Sequence, residues 1–304
     1  MRLSLLFVIA CNTITSDNPN APTEAEKLTF WTKREAPHND WFAIHGYTEQ
    51  YTFIVGKAGR ILRWDAKELT ELTSPTQEHL FAIYMCTAAR GFAVGAHGTI
   101  IQWNGLEWKT DVSGIDKELR GVWCDDNNAL AVGAEGTALQ RSPMGWAKVM
   151  TDRPDDLFAI ARSGGNPFAV GSAGTIATFN GTGFTSQNLS GFPKTLVAAT
   201  AGPGGTFIGG VDGAVFNRGA GNQRIMGIPS TFVRGIAAPG GNNGIYVVGW
   251  DGLLARVNGN TVLPYKDAGE TWLYGVYAFG PTGVWAVGAD GVILSGPPEV
   301  DPAP

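Results

Sequence analysis

A five-residue phrase, Val-Gly-x-x-Gly, recurs along the chain at a nearly constant interval, and that period limits the fold more than any single residue does. It reads Val55-Gly56-x-x-Gly59, Val94-Gly95-x-x-Gly98, Val132-Gly133-x-x-Gly136, Val170-Gly171-x-x-Gly174, a degenerate Gly209-Gly210-x-x-Gly213, Val248-Gly249-x-x-Gly252 and Val287-Gly288-x-x-Gly291. The first glycines are 39, 38, 38, 39, 39 and 39 residues apart. A period of this length means that one supersecondary unit has been copied around an array.

Each copy begins with a short apolar run: Trp41-Phe42-Ala43-Ile44, Leu80-Phe81-Ala82-Ile83, Leu119-Arg120-Gly121-Val122, Leu157-Phe158-Ala159-Ile160, Leu196-Val197-Ala198-Ala199, Val233-Arg234-Gly235-Ile236 and Leu273-Tyr274-Gly275-Val276. The third position is always Ala or Gly, which suits a crowded innermost strand converging on an axis. A second apolar run, such as Phe92-Ala93-Val94, leads into the signature. Both runs are too short for helices and rich in β-branched and aromatic residues, so they read as strands. The signature is a hairpin, because a residue tolerant of positive φ followed by glycine (Asp212-Gly213, Asp251-Gly252, Asp290-Gly291, Glu135-Gly136, His97-Gly98) is tight-turn chemistry. A third strand, an Asn-Gly turn at Asn104-Gly105, Asn180-Gly181 or Asn258-Gly259, and an outer strand carrying Trp108, Trp146 or Phe184 complete the unit. Four strands in each of seven copies predict an all-β, seven-bladed β-propeller with antiparallel blades of about 39 residues.

The ends of the chain predict how the ring closes. The seventh copy stops at Leu294-Ser295-Gly296 without an outer strand, while an orphan strand, Leu28 to Thr32, precedes the first blade. Trp31 stands where Trp108 and Trp146 stand in their blades. The N-terminal strand is therefore expected to complete blade seven, which would otherwise leave an unpaired edge. The domain plan is a signal peptide over 1–10, a lipidated Cys11 with a polar tether over 11–27, the propeller over 28–296 and a Pro-rich tail over 297–304.

With 42 glycines and only 16% charged residues, the 304-residue chain has the makeup of one large all-β domain. The net charge is −5 without a basic run, which argues against nucleic acid as a partner. Met1 to Ala10 combine one arginine with an apolar core and end on a small residue before Cys11. That pattern resembles a bacterial lipoprotein signal with the lipobox Val8-Ile9-Ala10-Cys11, which implies lipidation of Cys11 and membrane attachment. Asn12 following the cysteine implies the outer membrane.

Cys86 and Cys124 each lie nine residues before their signature glycine, at equivalent inner-strand positions of adjacent blades. A disulfide and two buried thiols are both open readings. Equivalent positions are expected roughly 7 to 10 Å apart, whereas a bridge wants Cα atoms within about 7 Å. Asp125 and Asp126, within Asp125-Asp126-Asn127-Asn128, are weak metal candidates and otherwise a polar turn. No metal pair forms around His38, His45, His79 or His97 by spacing, and no nucleophile, phosphate-loop or paired-carboxylate signature stands out, so neither a cofactor nor an enzymatic activity is expected.

Binding candidates come from strand order. The loops that lead into the inner strands and the signature turns should share one face, carrying Asp40, Glu78, Glu118, Asp155, Asp156 and Glu270 with Glu135, Asp212, Asp251 and Asp290. Lys57, His97, Lys117 and Lys194 relieve that acidity. Most tryptophans recur at strand positions and read as core, but Trp250 lies within a signature turn where other copies have Lys, Ala, Ser or Val. It is the leading contact candidate.

The Ala-Val-Gly-x-x-Gly-Thr-Ile pattern followed by a turn and tryptophan resembles the repeats of photosystem assembly factor-like and sialidase-like propellers. Sialidase-like Asp boxes are approached once, at Asp267-Ala268-Gly269-Glu270-Thr271-Trp272, without the serine and in the wrong loop. The resemblance implies a fold rather than glycosidase activity. The expected function is a non-enzymatic, lipid-anchored scaffold for an envelope protein or complex, with a carbohydrate-binding or hydrolytic propeller as the alternatives.

Overall fold

The structure is a computed structural model that describes residues 31–162, 164–239, 244–280 and 283–296. Cys11, the segments 1–10, 11–27 and 297–304, and residues 28–30 of the expected N-terminal strand lie outside the described residues. Seven sheets stand around a central axis, their inner four strands antiparallel and, in blades one to six, ordered from inner to outer strand as the chain runs. The inner strands are Trp41–Gly46, Leu80–Thr87, Leu119–Cys124, Leu157–Ala161, Leu196–Gly202, Val233–Ala237 and Leu273–Ala278.

Every signature turn has the conformation that its glycine pair demands. Ala58, His97, Glu135, Ala173, Asp212, Asp251 and Asp290 take φ between 49° and 57°, and each is followed by a left-handed glycine. The first glycine is required for a different reason, since a Cβ there would lie 1.7 to 2.2 Å from the carbonyl oxygen of the residue preceding the inner strand. That close approach lets this carbonyl accept the next signature N–H at 2.9 to 3.2 Å in all seven blades, from Lys57 N to Asp40 O through to Ala289 N to Trp272 O. The second glycine admits the lead-in loop of the following blade: a Cβ on Gly98 would sit 2.2 Å from Ile115 O. The repeated phrase is thus the joint between neighbouring blades.

The blades are glued by apolar side chains from adjacent sheets. Phe53, Val55 and Ile61 of blade one pack with Leu80, Ile83, Met85, Trp103 and Trp108 of blade two. The aromatic ring on an outer strand leans edge-on against the residue three before the preceding blade's signature glycine, as Trp108 does on Phe53 and Trp146 on Phe92. Trp31 repeats the arrangement on Tyr246, with ring centroids 6.0 Å apart. Thr32–Lys33 pairs with the last strand, Thr32 opposite Ser295 and Lys33 opposite Leu294, and so supplies the outer strand of blade seven. The guanidinium of Arg34 donates to Ser295 Oγ at 2.7 Å and lies over Trp64 of blade one and Trp285 of blade seven. One chain segment therefore spans the seam.

Three features depart from the sequence-based expectation. Blade four carries a fifth, two-residue strand, Met150–Thr151, parallel to its outer strand; it fits because Gly183 has no side chain to collide with Met150 O. Cys86 and Cys124 are joined by a disulfide with Cα atoms 5.4 Å apart, closer than the expected 7 to 10 Å. The inner strand of blade two has a second register shift, between Met85 and Thr87, and this extra residue carries Cys86 toward blade three. Finally, each of the seven inner strands has a bulge after its first residue, so its second residue is unpaired.

Candidate binding face

The seven bulged residues are Phe42, Phe81, Arg120, Phe158, Val197, Arg234 and Tyr274, and all of them line the central channel. A bulge re-aims a side chain that regular pairing would bury between blades. Here it builds a ring at the channel end that opens among the signature turns. Phe42 contacts Phe81 and Tyr274 at centroid distances of 5.7 and 5.5 Å. Arg120 lies over Phe158 and is paired with Glu118 and Asp156, while burial lowers the pKa of the Arg234 guanidinium from its ordinary value. The next ring inward is the invariant Ala or Gly, and a Cβ added at Gly121, Gly235 or Gly275 would fall 3.1 to 3.2 Å from a neighbouring inner strand. The channel offers about 1020 Å³.

Deeper in, His45 is sandwiched by Tyr84 and Tyr277 at 4.1 and 4.4 Å, and its Nδ1 accepts the Met85 N–H at 3.1 Å. Although its ring touches the lumen, enclosure away from bulk solvent holds its pKa down to about 3. A neutral imidazole already bonded to the backbone is a poor general base.

The expected sharing of one face by lead-in loops and signature turns is visible in their ion pairs. Lys57 pairs with Asp40 at 3.5 Å and His97 with Glu78 at 2.9 Å; Lys117 pairs with Glu135, and Lys194 with Asp212. Glu78 raises the pKa of His97 through its hydrogen bond. Lead-in side chains also cap the turn of the preceding blade: His79 Nδ1 accepts Ala58 N–H at 3.0 Å and Asp156 accepts Glu135 N–H at 2.8 Å. That amide bond, and then Arg120, hold the Asp156 carboxyl below its usual range. The face remains acidic, but six of its ten carboxylates, Asp40, Glu78, Glu118, Glu135, Asp156 and Asp212, pair with a cationic neighbour on the same face. Glu135, Asp212 and His97 belong to these pairs.

Among the described residues, Glu78 pairs only with His97, and the other face carboxylates lacking a Lys or Arg partner within ion-pair distance are Asp155, Asp251, Glu270 and Asp290. Asp155 accepts the Thr175 hydroxyl at 2.8 Å. Asp251 accepts the Thr231 hydroxyl at 3.1 Å, and Asp290 lies 3.6 Å from the exposed His38. Three of these four therefore sit on blades six and seven.

Trp250 lies on the same blades and does not stand alone. Its ring stacks between Phe232 and Trp272, at centroid distances of 4.7 and 4.8 Å and interplanar angles of 20° and 15°. Trp250 is 37% exposed and Trp272 45%. Phe232 and Trp272 immediately precede their inner strands, where the other blades have Asp40, His79, Glu118, Asp156 and Thr195. Neither was singled out from sequence, although aligning that one position across the seven copies isolates them.

At the far end of blade three, Asp125 is a turn residue. Burial pushes its carboxyl up, but the N–H groups of Asn128 and Asn127 outweigh this and hold it below the usual range; its other oxygen pairs with Arg162 at 2.9 Å. The Asp126 carbonyl accepts a bond from Arg90. With its oxygens so engaged, Asp125 has no arrangement of free ligands to offer a cation.

No protein-family model matches the chain, and neither does any curated protein. Solved structures match closely in shape. The chain is similar to YCF48 bound to a D1 peptide, with a TM-score of 0.72 at 15% identity, covering 90% of this chain and 98% of that one. YCF48 from Cyanidioschyzon merolae gives 0.66 at 15% identity, over 88% and 98% of the two chains. The RRP9 WD40 repeats give 0.73 at 10% identity, over 92% and 99%. At these identities the likeness establishes the seven-bladed propeller fold.

Proposed function

We propose that the chain is a non-enzymatic scaffold that docks a protein partner on its signature face, over blades six and seven. The observation that carries this is the exposed Phe232–Trp250–Trp272 stack. Seven copies of one unit provide an internal control: the fold needs no aromatic residue at these positions, since the other blades close with small or polar residues there. Exposed tryptophans that the fold does not require are the usual anchors of an interface. A peptide on a similar propeller, as in the YCF48 complex, supports the same use of this shape. The ring at the channel mouth contains Phe, Arg, Val and Tyr, and offers no nucleophile with an adjacent base.

The proposal extends to location. The Met1 to Cys11 pattern supports export and lipid attachment through Cys11 at a bacterial outer membrane, and the Cys86–Cys124 bridge supports an oxidising compartment.

Affinity capture from the native envelope tests the reading, with three versions run in parallel: the unaltered protein, Trp250→Ala with Trp272→Ala, and Met144→Asp on the opposite face. A stoichiometric partner lost only from the tryptophan variant is expected. A partner retained by that variant, or lost equally from Met144→Asp, sinks the proposed face. Carbohydrate binding is the second reading, although the stack occurs at one inter-blade junction and both faces of Trp250 are already covered.

A further inference from the structure

We infer that the outer face of Trp272 receives a cationic side chain, lysine or arginine, from the bound partner. This rests on the proposed docking face and specifies what that face selects. The Phe232–Trp250–Trp272 stack is directional. Phe232 lies toward a guanidinium of the protein itself, with Arg234 Cζ 5.8 Å from its ring centroid. Trp250 has a ring on either side. Trp272 has Trp250 on one side, and among the described residues no other ring or guanidinium stacks on it.

The surroundings of that open indole decide which chemistry suits it. The turn Trp250-Asp251-Gly252 is pressed against the lead-in loop, as a Cβ on Gly252 would fall 1.8 Å from Gly269 O and 3.3 Å from Glu270 Cα. Asp251 and Glu270 are thereby held beside the stack. The bond from Ala289 N to Trp272 O at 2.9 Å brings the neighbouring Asp290 to the same junction, where it lies 3.6 Å from His38 and is close enough to Tyr274 to raise the phenol's pKa, behind burial and Asp40. These three, together with Asp155 and Glu78 elsewhere on the face, are the carboxylates left without a Lys or Arg partner. An indole face carries negative quadrupole potential and attracts ammonium or guanidinium groups, and carboxylates at its edge add to the attraction. An anionic partner would meet repulsion from all three, and a neutral apolar one would gain only contact area. Charge complementarity therefore commits this surface to a cation.

The test uses defined probes on the full chain. Four blocked tripeptides, with lysine, arginine, norleucine or glutamate between two glycines, and chitobiose as a sugar probe are titrated into protein labelled at its tryptophan indole nitrogens. The Trp250 and Trp272 indole signals are followed by NMR. The lysine and arginine peptides are expected to shift both signals with about fivefold tighter binding than norleucine, which keeps lysine's four-carbon stem without the charged group. That preference should shrink in high salt. It should vanish in Asp251→Asn with Glu270→Gln, and in Trp272→Leu, which keeps apolar bulk without the π face. Equal binding of norleucine, stronger binding of glutamate, shifts only with the sugar, or no shift with any probe each overturn the inference. The two readings fail separately. Loss of a captured partner in the tryptophan variant without any cation preference overturns only the inference, while a cation preference without a captured partner overturns only the scaffold.

Discussion

His45 illustrates how one side chain sets a condition-dependent stability. Its folded pKa is about 3 against the ordinary 6.5 of an imidazole, so between those values the unfolded chain binds a proton that the folded chain does not. Stability must then fall as pH is lowered from 6.5, by at most about 1.4 kcal/mol per pH unit. His45→Gln keeps an acceptor for the Met85 N–H and removes the titration. Its denaturation midpoint should lie closer to the parent's at pH 5 than at pH 7, and a parallel pair of curves would refute the account. His97 has the opposite sign, because Glu78 raises its pKa. That pair is complete below pH 6.5 and opens as pH rises through the raised value, which a carbon-proton NMR titration of the imidazole would record. The binding residues are as local as these two. Trp250 was legible as an oddity within a repeated turn, but its neighbours Phe232 and Trp272 gain meaning only once the turn and the lead-in loop are seen to stack.

At the level of the element, the signature turn and the inner strand carry most of the specification. Gly95→Ala would force a Cβ to within 1.7 Å of His79 O, where only backbone can yield. A loss of about 2–3 kcal/mol is expected from denaturant unfolding, as for other overpacked sites. The same substitution at an open turn glycine such as Gly181, with nothing within 4 Å of the added Cβ but φ at +100°, should cost less, through backbone strain alone. The Cys86–Cys124 bridge ties two inner strands across a separation of 38 residues. In the chain-entropy account, its removal by Cys86→Ser with Cys124→Ser should lower unfolding stability by about 4 kcal/mol. Comparable chemical denaturation with and without reductant would mean that the bridge is dispensable. Spacing alone placed the two cysteines in register, whereas the bulge at Cys86 decided that they meet.

At the level of the molecule, closure is the event on which the rest depends. Thr32–Lys33 and Arg34 bind a blade that is last in sequence and a seam that touches the first. Removing residues 1–33 should expose the strand Ile293–Gly296 as an unpaired edge, lower the unfolding midpoint and promote self-association, measured by calorimetry and light scattering. Arg34→Ala is the milder variant and should weaken the seam without freeing the edge. Trp272 of blade seven lies over Trp250 of blade six, so the candidate face needs blade seven folded against blade six.

The period of the glycine phrase, the small third residue of each inner run and the ring-closing strand were determined by sequence alone, because a repeated unit reports its own constraints seven times. The tertiary structure alone decided what lies between units. Bulges turned the second inner-strand residues into the channel, local ion pairs engaged six of the ten carboxylates of the acidic face, and two lead-in residues joined Trp250 in a stack. The physical reason is range. Turn chemistry and strand period act over a few neighbouring residues and leave a repeating mark, whereas charge pairing within a blade and ring stacking between blades join residues about 20 positions apart that no local pattern brings together.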